Sequence, residues 1–392
     1  MTHSYGRTSH HEVVFYAPRI SPLLNSNEDP APGGAEVQVL LLARELAARG
    51  HRVALVVRQG EARLPSETGG ITIISQPTLY SGPQILRSVR NAATTIRTLW
   101  PLDTTVFVQR AAGRETGLVA LIAKARRRRF VYSSANVIDF AYHCLERRRS
   151  NVAFFHLGIK LADDVVVQTA EQEELCRSRF RRAPILVKSL AEPAEQRTAK
   201  PEAFLWVGRS VAYKQPLAYV ELARRLPDAL FWMVPTGKGE AAHQLRCAID
   251  EARRGLDNLE VLGERSRHQL TRLIERAVAL VNTADYEGMP NVFLEAWSRG
   301  VPALALSHDP DGVISREQLG GFAQNDSDRF VELAQQLWSG RYHQEDIALR
   351  CMRYTQREHS PKVIAARWAE ALGLMNRSGL RRRETIRRDR AV

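Results

Sequence analysis

The sequence predicts an α/β chain made of two parallel-sheet domains in tandem. Three observations predict it. The chain has 392 residues, more than one ordinary core holds and enough for two domains of roughly 150–200 residues. Short apolar runs alternate with segments of helical periodicity, the pattern of a parallel sheet covered on both faces. The same alternation begins again in the second half.

The elements follow in order. VVFYAPRI (Val13–Ile20) reads as a buried strand, and Ser21–Gly34 as a loop rich in Asn, Pro, Asp and Gly. Ala35–Arg49 has helical periodicity and stops at Gly50. His51–Arg58 and Ile71–Ser75 are the next strands, then Thr104–Gln109, Phe130–Ser133 and Asp164–Gln168. Helices are expected over Gly117–Ala125, within Phe154–Ala162 and over Ala170–Arg177. The polar, proline-punctuated stretch Ala191–Pro201 is the expected linker. Beyond it, strands are expected at Ala203–Val207, Leu230–Val234, Leu259–Leu262, Ala279–Asn282 and Val301–Leu306. The helices between and after them are Pro216–Leu226, Ala241–Arg254, Arg267–Arg276, Asn291–Arg299, Arg329–Trp338 and Pro361–Leu372. The domains are therefore set at 1–193 and 194–370, followed by a basic tail, 371–392, expected to be disordered.

An apolar fraction of 44% fills such cores and excludes disorder or a bare coiled coil for the bulk of the chain. The net charge is +13, and it is unevenly placed. Residues 1–200 hold 28 Lys and Arg against 18 Asp and Glu. The stretch Arg377–Val392 holds seven Arg against Glu384 and Asp389, and the region between is nearly neutral. Such an excess fits nucleic acid, an anionic membrane surface or a phosphorylated substrate. Cys144, Cys176, Cys247 and Cys351 are scattered without metal-ligand or redox spacing, so no metal site is expected and a reducing cytoplasm fits best. The N-terminal MTHSYGRTSH lacks the apolar core of a signal peptide.

Three segments carry chemistry. In YEGMPNVFLEAWSRG (Tyr286–Gly300), Glu287 precedes a turn containing Gly288 and Pro290, and Glu295 follows Asn291 by about one helical turn. A helix start there offers free N–H groups to a diphosphate, and the carboxylates offer acceptors to sugar and ribose hydroxyls. Surface carboxylates near a helix start are the plain alternative. In FLWVGRSVAYK (Phe204–Lys214), a strand ends at Gly208, and Arg209 and Lys214 follow at the edge where such sheets bind ligands. Two cations there would neutralise a diphosphate as it leaves. Ordinary solvent-facing charge is the alternative for each. In PGGAE (Pro32–Glu36), Gly33 and Gly34 end a loop before a helix and would let the backbone approach a phosphate; a plain turn and cap is the alternative. The spacing is neither that of a dinucleotide fingerprint nor that of a triphosphatase loop.

Together the three segments resemble glycosyltransferase family 4, retaining enzymes of the GT-B fold. PGGAEVQVLLLARELAARGHRV (Pro32–Val53), the Gly208–Arg209–Lys214 element and EGMPNVFLE with AWSRGVP carry the resemblance, which spans roughly residues 11–370. VVVQTAEQEEL (Val165–Leu175) resembles the end of the first domain in the same enzymes. The resemblance implies two Rossmann-like parallel-sheet domains facing an interdomain cleft. It implies a nucleotide diphosphate sugar as donor, UDP- or GDP-linked, with no further cofactor and no metal. Arg209 and Lys214 would hold the donor phosphates, Glu295 the ribose and Glu287 the hydroxyls of the transferred sugar. Gly33 and Gly34 would approach the diphosphate, and the backbone of Met289, Pro290, Asn291 and Val292 would touch sugar and phosphate. Many members also carry a first-domain histidine near the sugar, which has no match here. Arg110 and Asp139, near strand ends, are the candidate acceptor-side or catalytic-support residues, with salt-bridged loop residues as the alternative.

The acceptor is expected to be a glycan or lipid-linked hydroxyl in polysaccharide or glycolipid assembly. Lys124 with Arg126–Arg129, and Arg147–Arg149, would meet an anionic lipid headgroup or a phosphorylated acceptor, unless they form a solvated surface. Leu118, Val119, Leu121 and Ile122 before the first cluster suggest an interfacial helix and a peripheral place at the inner membrane face. The rival readings are a nucleotide-sugar epimerase or hydrolase of the same fold, and a basic nucleic-acid-binding protein. No recognition motif accompanies the arginine clusters, so no nucleic-acid partner is expected. Donor base, sugar, linkage and oligomeric state carry no signature in the sequence.

Overall fold

A computed structural model describes residues 10–24, 33–59, 64–78, 83–141, 148–340 and 344–374. Among these, two compact units separate. The first holds the chain up to Val187 and again from Pro361, and the second holds Lys188–Ser360.

The first unit is built on one eight-stranded sheet. Its strands are β1 (His11–Tyr16), β2 (Val53–Arg58), β3 (Glu67–Thr68), β4 (Ile71–Gln76), β5 (Thr104–Arg110), β6 (Arg129–Ser133), β7 (Asp164–Val167) and β8 (Ile185–Leu186). They lie in the order β3-β4-β2-β1-β5-β6-β7-β8, parallel except for the β3–β4 pair. Residues 53–57 of β2 and every residue of β1 are buried, as a strand covered on both faces requires. The order turns around between β1 and β5, so the loops leaving these strands diverge and leave room above the sheet edge. The helices Glu115–Ala125 and Arg149–Leu161 pack closely through Gly117 and Gly158. A Cβ on Gly117 would stand 2.2 Å from the Phe154 carbonyl oxygen, and one on Gly158 would stand 2.7 Å from the Thr116 carbonyl carbon.

The second unit has a six-stranded sheet of β9 (Ala203–Arg209), β10 (Phe231–Thr236), β11 (Leu259–Val261), β12 (Ala277–Asn282), β13 (Ala303–Ala305) and β14 (Gly320–Phe322). All neighbours are parallel, in the order β11-β10-β9-β12-β13-β14. Here the order turns around between β9 and β12. Trp206, Tyr219 and Phe231 fill one face of this sheet, and Phe293, Trp297 and Tyr354 fill the other.

Some expectations move. The first strand ends at Tyr16, four residues earlier than expected, and β9 runs on to include Arg209. Two helices were not anticipated, Gln84–Leu99 and Gln344–His359. The expected linker is docked on the second unit, where Ala191 N–H donates to the His359 carbonyl (2.9 Å) and Arg197 N–H donates to the Arg299 carbonyl (3.0 Å). The contact division falls at Val187/Lys188 rather than 193/194, and the last helix, Pro361–Ala371, belongs to the first unit. It packs on the helix Gly34–Ala48 and buries Ile364, Trp368 and Leu372. The basic tail from 375 onward lies outside the described residues.

The 118–129 segment does not form the expected interfacial helix. Val119 and Ile122 are buried in the first core, because that face of Glu115–Ala125 covers the sheet. The cations behind it pair within the fold. Lys124 bonds Asp163 (2.6 Å), Arg128 bonds Asp103 (2.9 Å), and Arg129 bonds Asp164 (2.7 Å). Arg129 also donates to the Leu372 carbonyl at 2.7 Å, closing the end of the last helix. Arg126 sits over the Trp100 ring. Arg147 in the second cluster is outside the described residues.

His359 ties the end of its helix to the chain entering the second unit. It hydrogen-bonds the Ser189 carbonyl (2.7 Å) and Tyr354 Oη (3.2 Å). Burial pushes its imidazole down to about 4, whereas the unfolded value is about 6.5. Between these values the unfolded chain binds the proton and the folded chain does not. Stability is therefore full above about pH 6.5 and falls as the pH drops through this window, by about 3 kcal/mol near pH 4. Urea unfolding of wild type and His359→Gln at several pH values checks this. The variant should lose this part of the pH dependence, and parallel curves would rule the assignment out.

Candidate functional site

The sequence-nominated residues of the second unit gather at the turning point of its sheet. β9 ends at Arg209, and β12 ends at Asn282 beside it. The two following loops are laced together. Thr283 Oγ1 donates to the Lys214 carbonyl (2.7 Å), and Asp285 N–H donates to the Tyr213 carbonyl (2.9 Å). Trp206 Nε1 donates to Thr283 Oγ1 (3.0 Å), and the Tyr213 and Tyr286 rings stack at 4.7 Å. A Cβ on Gly208 would stand 3.0 Å from the Trp206 indole, so glycine fits here without displacing that ring.

This lacing brings the Lys214 ammonium onto the Glu287 carboxylate in a direct ion pair. The side chains keep only 18% and 8% of their exposure. Burial, and then the nearby Arg209 charge, lowers the Lys214 pKa from its ordinary value. Arg209 is exposed and donates to Tyr213 Oη at 2.8 Å. The site thus offers one exposed cation and one largely buried cation beside a carboxylate, a set that can grip an anion and a hydroxylated ring together.

Gly288, Met289 and Pro290 are buried and lead into the seven-residue helix Asn291–Trp297, whose start has no side-chain cap. Phe293 and Trp297 anchor that helix in the core and leave Glu295 half-buried on its other face. Burial raises the Glu295 pKa, while Arg267 and Arg299 oppose the rise. Arg267 stands 3.9 Å from Glu295 and 2.5 Å from Glu192. Sequence reading missed Arg267 and also His308. The His308 imidazole reaches the Gly288 carbonyl (3.4 Å), and burial lowers its pKa. Its signal was available: it follows β13, the strand beside β12, at the same sheet edge.

In the first unit, Gly33 caps the helix Gly34–Ala48 in an extended conformation, and the Glu36 N–H donates to its carbonyl. Arg110 ends β5 and donates to Ser133 Oγ (2.8 Å) and Gln168 Oε1 (3.1 Å). Burial lowers its pKa to about 10. Asp139 turns inward. Its carboxylate accepts from Tyr132 Oη (3.1 Å) and the Ala135 N–H (2.6 Å), and burial raises its pKa. That geometry suits a loop-holding role rather than contact with a substrate. His156 lies on the helix Arg149–Leu161 with its ring edge-on to Phe180, and His143 is outside the described residues.

Among the described residues no three His, Cys, Asp or Glu side chains group as metal ligands, and no helix is long and apolar enough to cross a membrane. The family described as Glycosyl transferase 4-like domain matches residues 33–191, and Glycosyl transferases group 1 matches residues 189–350. The chain belongs to the GT-B glycosyltransferases. The solved structures similar to this glycosyltransferase agree on the fold. Sucrose-phosphate synthase from Thermosynechococcus elongatus superposes with a TM-score of 0.73 at 13% identity, over 92% of this chain and 98% of that one. Anabaena HepE in complex with UDP and glucose gives 0.70 at 14%, over 93% and 100%. A curated relative, the UDP-Gal:alpha-D-GlcNAc-diphosphoundecaprenol alpha-1,3-galactosyltransferase of Escherichia coli, is 28% identical over 136 residues, 33% of this chain. The match spans about a third (34%) of that relative's length.

Proposed function

We propose that this GT-B glycosyltransferase is a retaining family 4 enzyme. It moves a sugar from a UDP- or GDP-linked donor to a hydroxyl of a glycan or lipid-linked acceptor. The observation that carries the reading is the Lys214–Glu287 pair beside Arg209 at the turning point of the second sheet. Arg209 and Lys214 would hold the donor phosphates and stabilise the diphosphate as its bond to the sugar breaks. Glu287 would hold the sugar hydroxyls and Glu295 the ribose. Gly208 and the backbone from Met289 to Val292 would lie against the donor. The acceptor hydroxyl would enter on the leaving-group face, and the departing phosphate oxygen would take its proton. No carboxylate nucleophile is then required.

The curated relative's name gives a diphosphoundecaprenol acceptor, which favours a lipid-borne acceptor here and, with it, a peripheral protein on the cytoplasmic side. Support for membrane attachment comes from the helix Gln84–Leu99 rather than from 118–129. Leu86, Val89, Ile96 and Trp100 recur at helical spacing and stay 41–61% exposed, with exposed Arg90 and Arg97 alongside.

A mass-spectrometric screen of UDP- and GDP-sugars, with soluble glycans and with lipid acceptors in anionic vesicles, tests both parts. The expected result is donor consumption only when acceptor is present, and sedimentation with anionic vesicles that Val89→Asp weakens. Release of free sugar and nucleotide diphosphate without any acceptor would favour the epimerase or hydrolase reading instead.

A further inference from the structure

The second unit leaves the oxygens of Glu295 open. Among the described residues its carboxylate accepts no hydrogen bond, and the cation paired with it is Arg267, at 3.9 Å. The Glu287 carboxylate, by contrast, is taken by Lys214. The same Arg267 nitrogen, Nη2, stands 2.5 Å from Glu192 Oε2. One guanidinium nitrogen therefore faces two carboxylates, bonded to Glu192 and held off Glu295.

Three separate elements of the same unit hold this arrangement. Arg267 is the first residue of the helix Arg267–Glu275. Before it, Ser266 Oγ accepts the Gln269 N–H (3.3 Å) and Gln269 Oε1 accepts the Ser266 N–H (3.1 Å). This capping box fixes where the helix starts, and so where Arg267 stands. The helix dipole opposes a cation in the first turn, so the helix itself gains nothing from an arginine there. Glu192 follows Ala191, which is buried in the second unit and donates its N–H to the His359 carbonyl (2.9 Å). Glu295 sits on the helix Asn291–Trp297, which packs against Arg267–Glu275. Arg299 is engaged elsewhere. It donates to the main-chain carbonyl of Glu295 (3.0 Å), and its Nε lies 3.6 Å from Glu275.

We propose that Arg267, tethered by Glu192, is a positioning residue for Glu295: it sets a positive charge beside that carboxylate and leaves both carboxylate oxygens to the ribose hydroxyls of the donor. The proposal deepens the assignment of Glu295 to the ribose and rests on it. Burial raises the Glu295 pKa, Arg267 and then Arg299 oppose the rise, and Glu192 adds to it. A protonated Glu295 would lose the charge that strengthens its bonds to hydroxyls. A guanidinium bonded directly to Glu295 would keep the charge but consume the oxygens. Holding Arg267 back on Glu192 avoids both losses, so the two residues have separable effects.

UDP and GDP are the probes, each titrated calorimetrically into the chain and its variants from about pH 5 to about pH 8. Lys214, His308 and the nucleotide phosphates titrate in every variant, so the difference from the wild-type profile is what is read. Glu295→Gln should weaken binding about tenfold near pH 8. Arg267→Gln should bind within about twofold of wild type near pH 8 but lose affinity about one pH unit earlier on acidification. The sign follows from the lost cation: without it Glu295 takes up its proton at higher pH. Arg267→Lys keeps the charge and should restore most of the profile. Glu192→Gln should act in the opposite sense. It removes a like charge and frees Arg267 to close on Glu295, so the acid limb moves to lower pH while affinity near pH 8 falls about fivefold. Melting temperatures near wild type exclude misfolding, because the pair is partly exposed and contributes little stability. An Arg267→Gln profile that falls at the wild-type pH, or is weakened equally at every pH, overturns the inference. The ribose assignment still stands if Glu295→Gln weakens binding. Unchanged affinity in Glu295→Gln, or no binding of either nucleotide to wild type, overturns the ribose assignment and the inference with it.

Discussion

Replacing Lys214 by methionine should cut sugar transfer by about 10²–10³-fold, the scale of losing one charge-stabilising group at a reacting centre. Two effects combine in that loss. The donor diphosphate would leave without its buried cation. The Glu287 carboxylate, with 8% exposure, would also lose its cationic partner. Breaking a buried pair from one side costs about 3 kcal/mol or more, because the remaining charge stays desolvated. The double variant Lys214→Met/Glu287→Gln separates the two effects. It removes both charges, so most of the lost stability should return while transfer stays absent. Thermal melts and kcat/KM measured on both variants check this. Near-normal turnover in the stable double variant would show that neither residue serves the chemistry.

Gly117→Val carries the largest expected effect on folding. The added Cβ alone would lie 2.2 Å from the Phe154 carbonyl oxygen, far inside van der Waals contact. The helices Glu115–Ala125 and Arg149–Leu161 would have to separate, pulling Val119 and Phe155 from a core in which both are fully buried. Overpacking of this kind costs about 3 kcal/mol and can exceed it. Soluble yield and melting temperature report the damage. A melting temperature within a degree or two of wild type would mean that the helices can slide apart at little cost.

Much of this was legible in the residues. Central strands such as Val53–Arg58 announce themselves because burial on both faces demands an unbroken apolar run. The Arg209, Lys214, Glu287 and Glu295 set was legible because its spacing follows strand ends and a helix start. Their contact was not, since Lys214 and Glu287 are 73 residues apart and meet only through the β9–β12 pairing. The cluster at 124–129 misled for a related reason. Its partners Asp103, Asp163 and Asp164 are remote in sequence, so three of the five cations in a run that looked unpaired are neutralised by the fold. The helix Gln84–Leu99 escaped notice because its apolar residues divide: Leu99 lies in the core, while Leu86, Val89 and Ile96 are exposed. Six arginines line one cavity of the first unit, and only two were marked in the sequence, Arg110 at a strand end and Arg148 in the 147–149 run; the sheet order collects the rest.

The return of Pro361–Ala371 to the first unit has a consequence for how the chain is made. Chain synthesis delivers residues in order, and units tend to fold as they emerge. The first unit would leave the ribosome one helix short, with the face of Gly34–Ala48 that later receives Ile364 and Trp368 still open to water. It stays incomplete while the whole second unit is being translated. A truncation after Val187 would make that interval permanent, and the resulting fragment should be sticky. The helix Pro361–Ala371 therefore works as a completion signal: only a chain translated past the whole second unit can close its first core.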